Sequence, residues 1–429
     1  MRAIKPALAS LLAFAALALP QAAAQQPVTI TMWTHDQLYI DYFLARAAEW
    51  EKRHPEYAIT YDFQQMPDPL TASLTAISAR QPLPDLLGIE IGQMPGFMQG
   101  GAIARYFVDL SDRIADRRDE FIEGRLSPYM YEGGLYGLES ALTASVYYYQ
   151  PALLEQHGVE VPTTWEEFLQ AGEIMGQHGI AMTVASNDSQ GAFHMLLLQR
   201  GATVFDEDGE FVLGEEPNRS IALEVLEYMR AGIDNGTFYT VTSAEFWGAT
   251  LPTAFSQGRV AGIVMPDWYA GCCLQPGVAD MAGQWRVAPI PVWEAGGFTT
   301  TTWGGTGFAI AADSPIVELV WDLLEDAYGT LDGQLARYEA IGFYPTMYEA
   351  LAHPRVTEIA DPFFGGQQIG QVFSDVALDV PPLFQSPHRG FFLTALGDNL
   401  PLFFDGSYTP EQFLDAVIAI TEDEISFAD

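Results

Sequence analysis

Thirteen residues from Ala7 to Leu19, interrupted only by Ser10, form the first apolar run of the chain; Arg2 and Lys5 precede it and Ala22-Ala23-Ala24 follows. A positive start, a short apolar stretch and small residues at an A-x-A site are the pattern of a cleaved export leader. The run falls short of the ~20 residues that span a bilayer, so cleavage is expected after Ala24 (residues 1–24). No cysteine follows the run, so no lipid anchor is expected.

Beyond the leader the periodicity changes. Val28-Thr29-Ile30-Thr31-Met32-Trp33 reads as a strand, and Ile40, Phe43, Leu44 and Ala47 fall at helical spacing up to His54-Pro55. Ile59, Tyr61 and Phe63 alternate with polar residues as a second strand, and Leu86-Leu87-Gly88-Ile89 gives a third. Thr163-Thr164-Trp165-Glu166-Glu167 opens a helix with a capping-box pattern, and Trp165, Phe168, Leu169 and Gly172 continue its inward face. Asp208-Gly209 marks a hairpin, and Ile221 to Met229 is helical again. Thr409 and Pro410 open a last helix with Phe413, Ala416, Val417 and Ile420 on one stripe. Strands alternating with helices predict an α/β fold with mainly parallel sheets.

Composition narrows the function. Hydrophobic residues make up 49% of the 429, so the chain can bury cores, and its length suits two domains. Against 56 acidic residues stand 19 Lys and Arg, two of them in the leader, and Lys52 is the single lysine beyond it. Such a surface repels nucleic acid and anionic lipid, and its acid excess resembles that of salt-adapted proteins. The two cysteines, Cys272 and Cys273, are adjacent. Export permits oxidation, and within the chain they can pair only with each other. Neighbouring Cα atoms lie closer than in ordinary disulfides, so a vicinal bond and two free thiols both remain open.

Four segments then resemble one family. They are Ile30 to Pro55; Leu135 to Phe168 with its Tyr147-Tyr148-Tyr149 run; Ala254 to Trp268; and Trp303-Gly304-Gly305-Thr306-Gly307-Phe308 with the helix after it. In order and spacing they resemble the extracellular solute-binding proteins of bacterial ABC importers, in the carbohydrate-type group that includes maltose-binding protein. The resemblance implies two α/β lobes, several hinge crossings and a ligand cleft between the lobes. By similarity the crossings fall near 141–145, 288–292 and 328–333. The lobes would be 27–143 plus 290–330 and 144–288 plus 331–429. It also implies a freely diffusing, monomeric periplasmic receptor with no cofactor, which delivers a sugar, oligosaccharide or polyol glycoside to a membrane permease. Gln150-Pro151, Gly271-Cys272-Cys273 and the Gly- and Phe-rich stretch 361–390 depart from the family pattern.

Sugars present C–H faces and hydroxyl rims, which call for aromatic rings and planar polar groups. Candidates are the residues at strand ends and in the segments above. Trp33, His35 and Asp36 leave the first strand; Asp36 serves equally well as a helix N-cap and Trp33 as core. Gln65 ends the second strand and Glu90 the third. Glu139 precedes the first crossing. Asn187-Asp188 follows a strand-like stretch and reads as a turn pair as well. Trp268 matches a stacking tryptophan of the family, with Asp267 beside it. Trp303, with Gly304 and Gly305 allowing close backbone approach, Trp247, Tyr344 and Arg389 complete the set. One parity of Tyr147-Tyr148-Tyr149 is expected in the core, the other toward the cleft.

Two other classes compete. A glycosidase needs paired carboxylates, which 56 acids supply by chance. A receptor for a cationic solute, such as a polyamine or betaine, would use the same aromatic rings and carboxylates. The histidines 35, 54, 157, 178, 194, 353 and 388 show no zinc-type spacing, and no metal is expected.

Overall fold

The computed structural model describes residues 25–428, so the expected leader lies outside the described residues. Twelve strands are formed among them: β1 (Gln26–Thr34), β2 (Tyr57–Gln65), β3 (Leu86–Glu90), β4 (Met130–Tyr131), β5 (Gly134–Leu135), β6 (Leu138–Glu139), β7 (Ser145–Tyr149), β8 (Thr183–Ser186), β9 (Phe238–Val241), β10 (Gly262–Pro266), β11 (Arg286–Pro289) and β12 (Thr306–Ile310).

The first lobe is built on a five-stranded sheet of order β2-β1-β3-β12-β6. Strands β2, β1 and β3 are parallel, joined by the helices Gln37–Trp50 and Pro69–Ser78. Inside the sheet both faces of β3 are covered, so Leu86, Leu87 and Ile89 are all buried. The predicted helix face buries Ile40, Phe43 and Ala47, whereas Leu44 is 43% exposed. The stripe turns instead toward Tyr42, whose hydroxyl donates to Ala327 O and Gly333 O at 2.8 Å each.

The second lobe centres on β7, flanked by β10 and β11. Both pairings are antiparallel, as are those of β12 with β3 and β6. Parallel pairing therefore holds for β1–β3 and for β8 with β9. Strands entering from the other lobe do so at the cleft end, where β3 finishes: Thr306 opposes Glu90. Antiparallel order follows from that entry point. On β7 the alternation separates two cores. Tyr148 packs beside Tyr269 and Phe364, while Tyr147 stacks with Tyr149 at 5.5 Å and meets Phe168. Both faces of the strand are covered, so neither parity reaches the cleft.

Local signals hold well. Thr164 and Glu167 form the capping box of the helix Trp165–Gly176, and an added Cβ on its Gly172 would lie 1.8 Å from Thr237 Oγ1. Asp208-Gly209 closes a short hairpin with a Phe205–Phe211 bridge. Thr409 Oγ1 accepts the Gln412 amide at the start of Pro410–Ala428.

The chain passes from β6 to β7 over residues 140–144. The second crossing lies later than 288–292. Val292 is held on the second lobe by its amide bond to Thr163 O, and the passage runs from Thr300 to Gly305, where the Ser145 amide donates to Thr301 O at 2.8 Å. The third also comes later than 328–333. The helix Leu331–Ile341 stays on the first lobe, with Asp332 paired to Arg46 at 2.6 Å and Gly333 accepting from Tyr42. No helix among the described residues is long and apolar enough to cross a membrane.

Candidate functional site

An open cavity of about 260 Å³ lies between the lobes. His35, Asp36, Leu38, Tyr39 and Glu90 form its first-lobe wall; Trp268 and Cys272 form the other, with Ala141, Phe343 and Gly304 to Thr306 between them. The first wall exists because β1 and β3 both end there and the helix Gln37–Trp50 starts there.

Asp36 is both cavity residue and helix cap, since its side chain accepts the Leu38 amide at 2.9 Å. His35 packs on Tyr39 with ring centres 5.7 Å apart, and burial lowers its pKa, favouring the neutral ring. Burial also pushes the Glu90 carboxyl up to about 7, although the Gly92 amide donates to it at 2.6 Å and the Arg389 charge opposes the shift. Near neutral pH Glu90 therefore both donates and accepts hydrogen bonds, which suits hydroxyl groups. No lysine or arginine lines the cavity.

Three tryptophans make the second-lobe side. Trp268 lies 6.2 Å from Trp247 with planes 25° apart, and both lie 6.1 Å from Trp303. Trp247 and Trp303 line a small neighbouring hollow of about 20 Å³ rather than the main cavity. Gly304 lies under the Trp268 ring with φ +72°. Gly305, φ +123°, leaves room for the ion pair below it: an added Cβ would sit 2.6 Å from Arg125 Nη2 and 2.7 Å from Glu139 Oε2. Both glycines line the cavity; the left-handed backbone favours glycine at both, and close packing on the ion pair adds to that at Gly305.

Glu139 is enclosed rather than presented to the cavity. Its carboxylate receives Arg125 at 2.8 Å, the Thr306 amide at 2.8 Å and the Ser140 amide at 3.0 Å. Arg125 in turn donates to Thr302 Oγ1 at 2.6 Å, so the pair fastens the two nearby crossings together. Asp267 is buried, with Oδ2 accepting the Tyr344 amide at 3.3 Å and its carboxyl pushed up to about 7 by desolvation. Tyr344 packs on Tyr338 and Phe373 in the core. Arg389 is buried behind Glu90 and donates to Gln385 Oε1 at 2.6 Å; Gln385 donates to Ile91 O, linking the lobes. Asp188 accepts hydrogen bonds from the Ser243 amide and hydroxyl at 2.6 and 2.7 Å, and Asn187 adjoins it on the second lobe. Gln65 donates to His35 O at 3.0 Å. Trp33 packs partly buried against the first-lobe core. None of these eight residues lines the cavity. Leu38, Tyr39, Ala141, Cys272, Thr306 and Phe343 do and were not foreseen as ligand residues; Tyr39, in the first turn of a predicted helix beside His35, carried a readable signal.

Residues 45–362 match the family described as bacterial extracellular solute-binding protein. The chain belongs to this family. It is a solute-binding protein and not an enzyme. It is 28% identical over 402 residues to an arabinooligosaccharide-binding protein of Bacillus subtilis, covering 90% of each chain. A lactose-binding protein of Rhizobium radiobacter is 26% identical over 441 residues, covering 99% of this chain and 98% of the relative. Among solved structures, the sugar-binding protein MalE of Xanthomonas citri superposes with a TM-score of 0.77 at 16% identity, over 92% of this chain and 97% of that one. A binding protein of B. animalis subsp. lactis in complex with β-1,6-galactobiose gives 0.71 at 20% identity, over 93% and 97%. This solute-binding protein thus shares their two-lobed fold.

Proposed function

We propose that this protein captures an oligosaccharide in the cavity between its lobes and delivers it to the permease of an ABC importer. It acts as a monomer in the periplasm after loss of its leader. The observation that carries the reading is the pairing of walls: Trp268, flanked by Trp247 and Trp303, lines the same cavity as Asp36 and Glu90. Aromatic faces match C–H surfaces of sugar rings, and carboxyl groups match their hydroxyls. Relatives named for arabinooligosaccharide and lactose support this ligand class.

The same walls favour a second reading, a cationic solute, because carboxyl groups line the cavity and no basic residue does. Thermal unfolding in the presence of arabinotriose, lactose, maltotriose, putrescine and glycine betaine separates them, since a ligand of the folded state raises its apparent stability. Stabilisation by a sugar alone supports the proposal; stabilisation by putrescine or betaine alone replaces it.

A further inference from the structure

The disulfide between Cys272 and Cys273 has no part in the reading above, yet it lies at the ligand cavity. The two sulfurs are joined in the structure, and no free cysteine exists. A disulfide carries no charge and no proton to donate, so toward a ligand it offers only polarizable, apolar surface. Its two halves are placed differently. Cys273 is half-buried against the hydrophobic core, and Leu274 after it is fully inside, whereas Cys272 is exposed and lines the cavity. The wide helical turn Ala270–Leu274 that carries them begins two residues after Trp268. Four residues along a helical path is about 6 Å, so the indole and the disulfide are adjacent but separate patches. An added Cβ on Gly271 would meet nothing, which leaves the space beside the disulfide open.

We propose that the Cys272–Cys273 disulfide is a second apolar contact for the ligand, seating a sugar ring beyond the one that stacks on Trp268. The site then takes a chain of at least two rings. This rests on the sugar reading above. A locked pair suits the role better than two thiols, because it cannot ionise and cannot rotate away from the wall.

Two measurements test it. The first compares the parent protein with Cys272→Ala/Cys273→Ala by calorimetric titration against arabinotriose, lactose, maltotriose and arabinose. The double variant is expected to bind whichever oligosaccharide the parent prefers about tenfold more weakly, and arabinose within twofold of the parent, at an unchanged melting temperature. The second uses the parent alone and so survives misfolding of the variant. Saturating oligosaccharide is expected to slow reduction of the disulfide by tris(carboxyethyl)phosphine at least tenfold, and arabinose much less. Undiminished oligosaccharide affinity in the folded double variant, or an unchanged reduction rate under saturation, overturns the subsite and leaves the sugar reading standing. A parent that binds none of the four sugars overturns both.

Discussion

The indole Nε1 of Trp268 donates to the backbone carbonyl of Trp303 at 3.0 Å. Trp268 stands on the second-lobe wall of the cavity, and Trp303 lies in the crossing that returns the chain to β12. The bond fixes the ring edge on a side chain that lines the cavity. Trp268→Ala is expected to weaken oligosaccharide binding by about 2 kcal/mol, roughly thirtyfold. Trp268→Phe, which keeps a ring but loses the bond, should fall between it and the parent. Calorimetric titration of the three proteins gives the order.

Arg125 and Glu139 form an ion pair whose side chains are each 1% exposed. Removing one partner leaves a buried charge without compensation, which typically costs about 3–5 kcal/mol. Glu139→Ala is therefore expected to lower unfolding free energy by that amount in urea titration. A loss under about 1 kcal/mol would show that the pair is solvated in solution.

Asp267 gives a pH signature. Its carboxyl is raised from 3.8 to about 7, so between these values the folded state holds the proton more tightly than the unfolded chain. Its contribution to stability is then lost as pH rises through that window, and the full cost is present above about 7. Asp267→Asn keeps an acceptor for the Tyr344 amide and never ionises. Its melting temperature relative to the parent should climb from pH 4 to pH 8; a difference independent of pH would place Asp267 in contact with solvent.

The two cysteines should be unreactive as isolated. Iodoacetamide without reductant is expected to leave the intact mass unchanged, and after reduction to add two carbamidomethyl groups. Two additions in the untreated protein would show free thiols.

Much of the scaffold is legible in the chain because its signals are local. The helix that starts after Asp36, the capping box at Thr164 and Glu167, and the last helix from Pro410 rest on contacts within a few residues. Long-range relations are not legible in that way. Leu44 has the spacing of a core residue, but the helices packed on Tyr42 turn the buried stripe away from it. The tyrosines of β7 alternate, yet both faces are covered, one by Phe168 of the next long helix and the other by Phe364, far along the chain. Within the site, strand ends pointed to His35, Asp36 and Glu90, and segment order pointed to Trp268. Residue type alone cannot separate a carboxylate that faces solute from one enclosed by Arg125, as Glu139 is. Phe343 reaches the cavity only through the path of the chain between the lobes.

The most direct test of the central claim is calorimetric titration of the purified protein with arabinotriose, lactose and maltotriose, with putrescine and glycine betaine in parallel and chromatography of the sugars afterwards. Saturable one-to-one binding of an oligosaccharide, recovered intact, with no heat from either cation, is the predicted result. Saturation by a cation with silence from every sugar, or recovery of cleaved sugar, would contradict it.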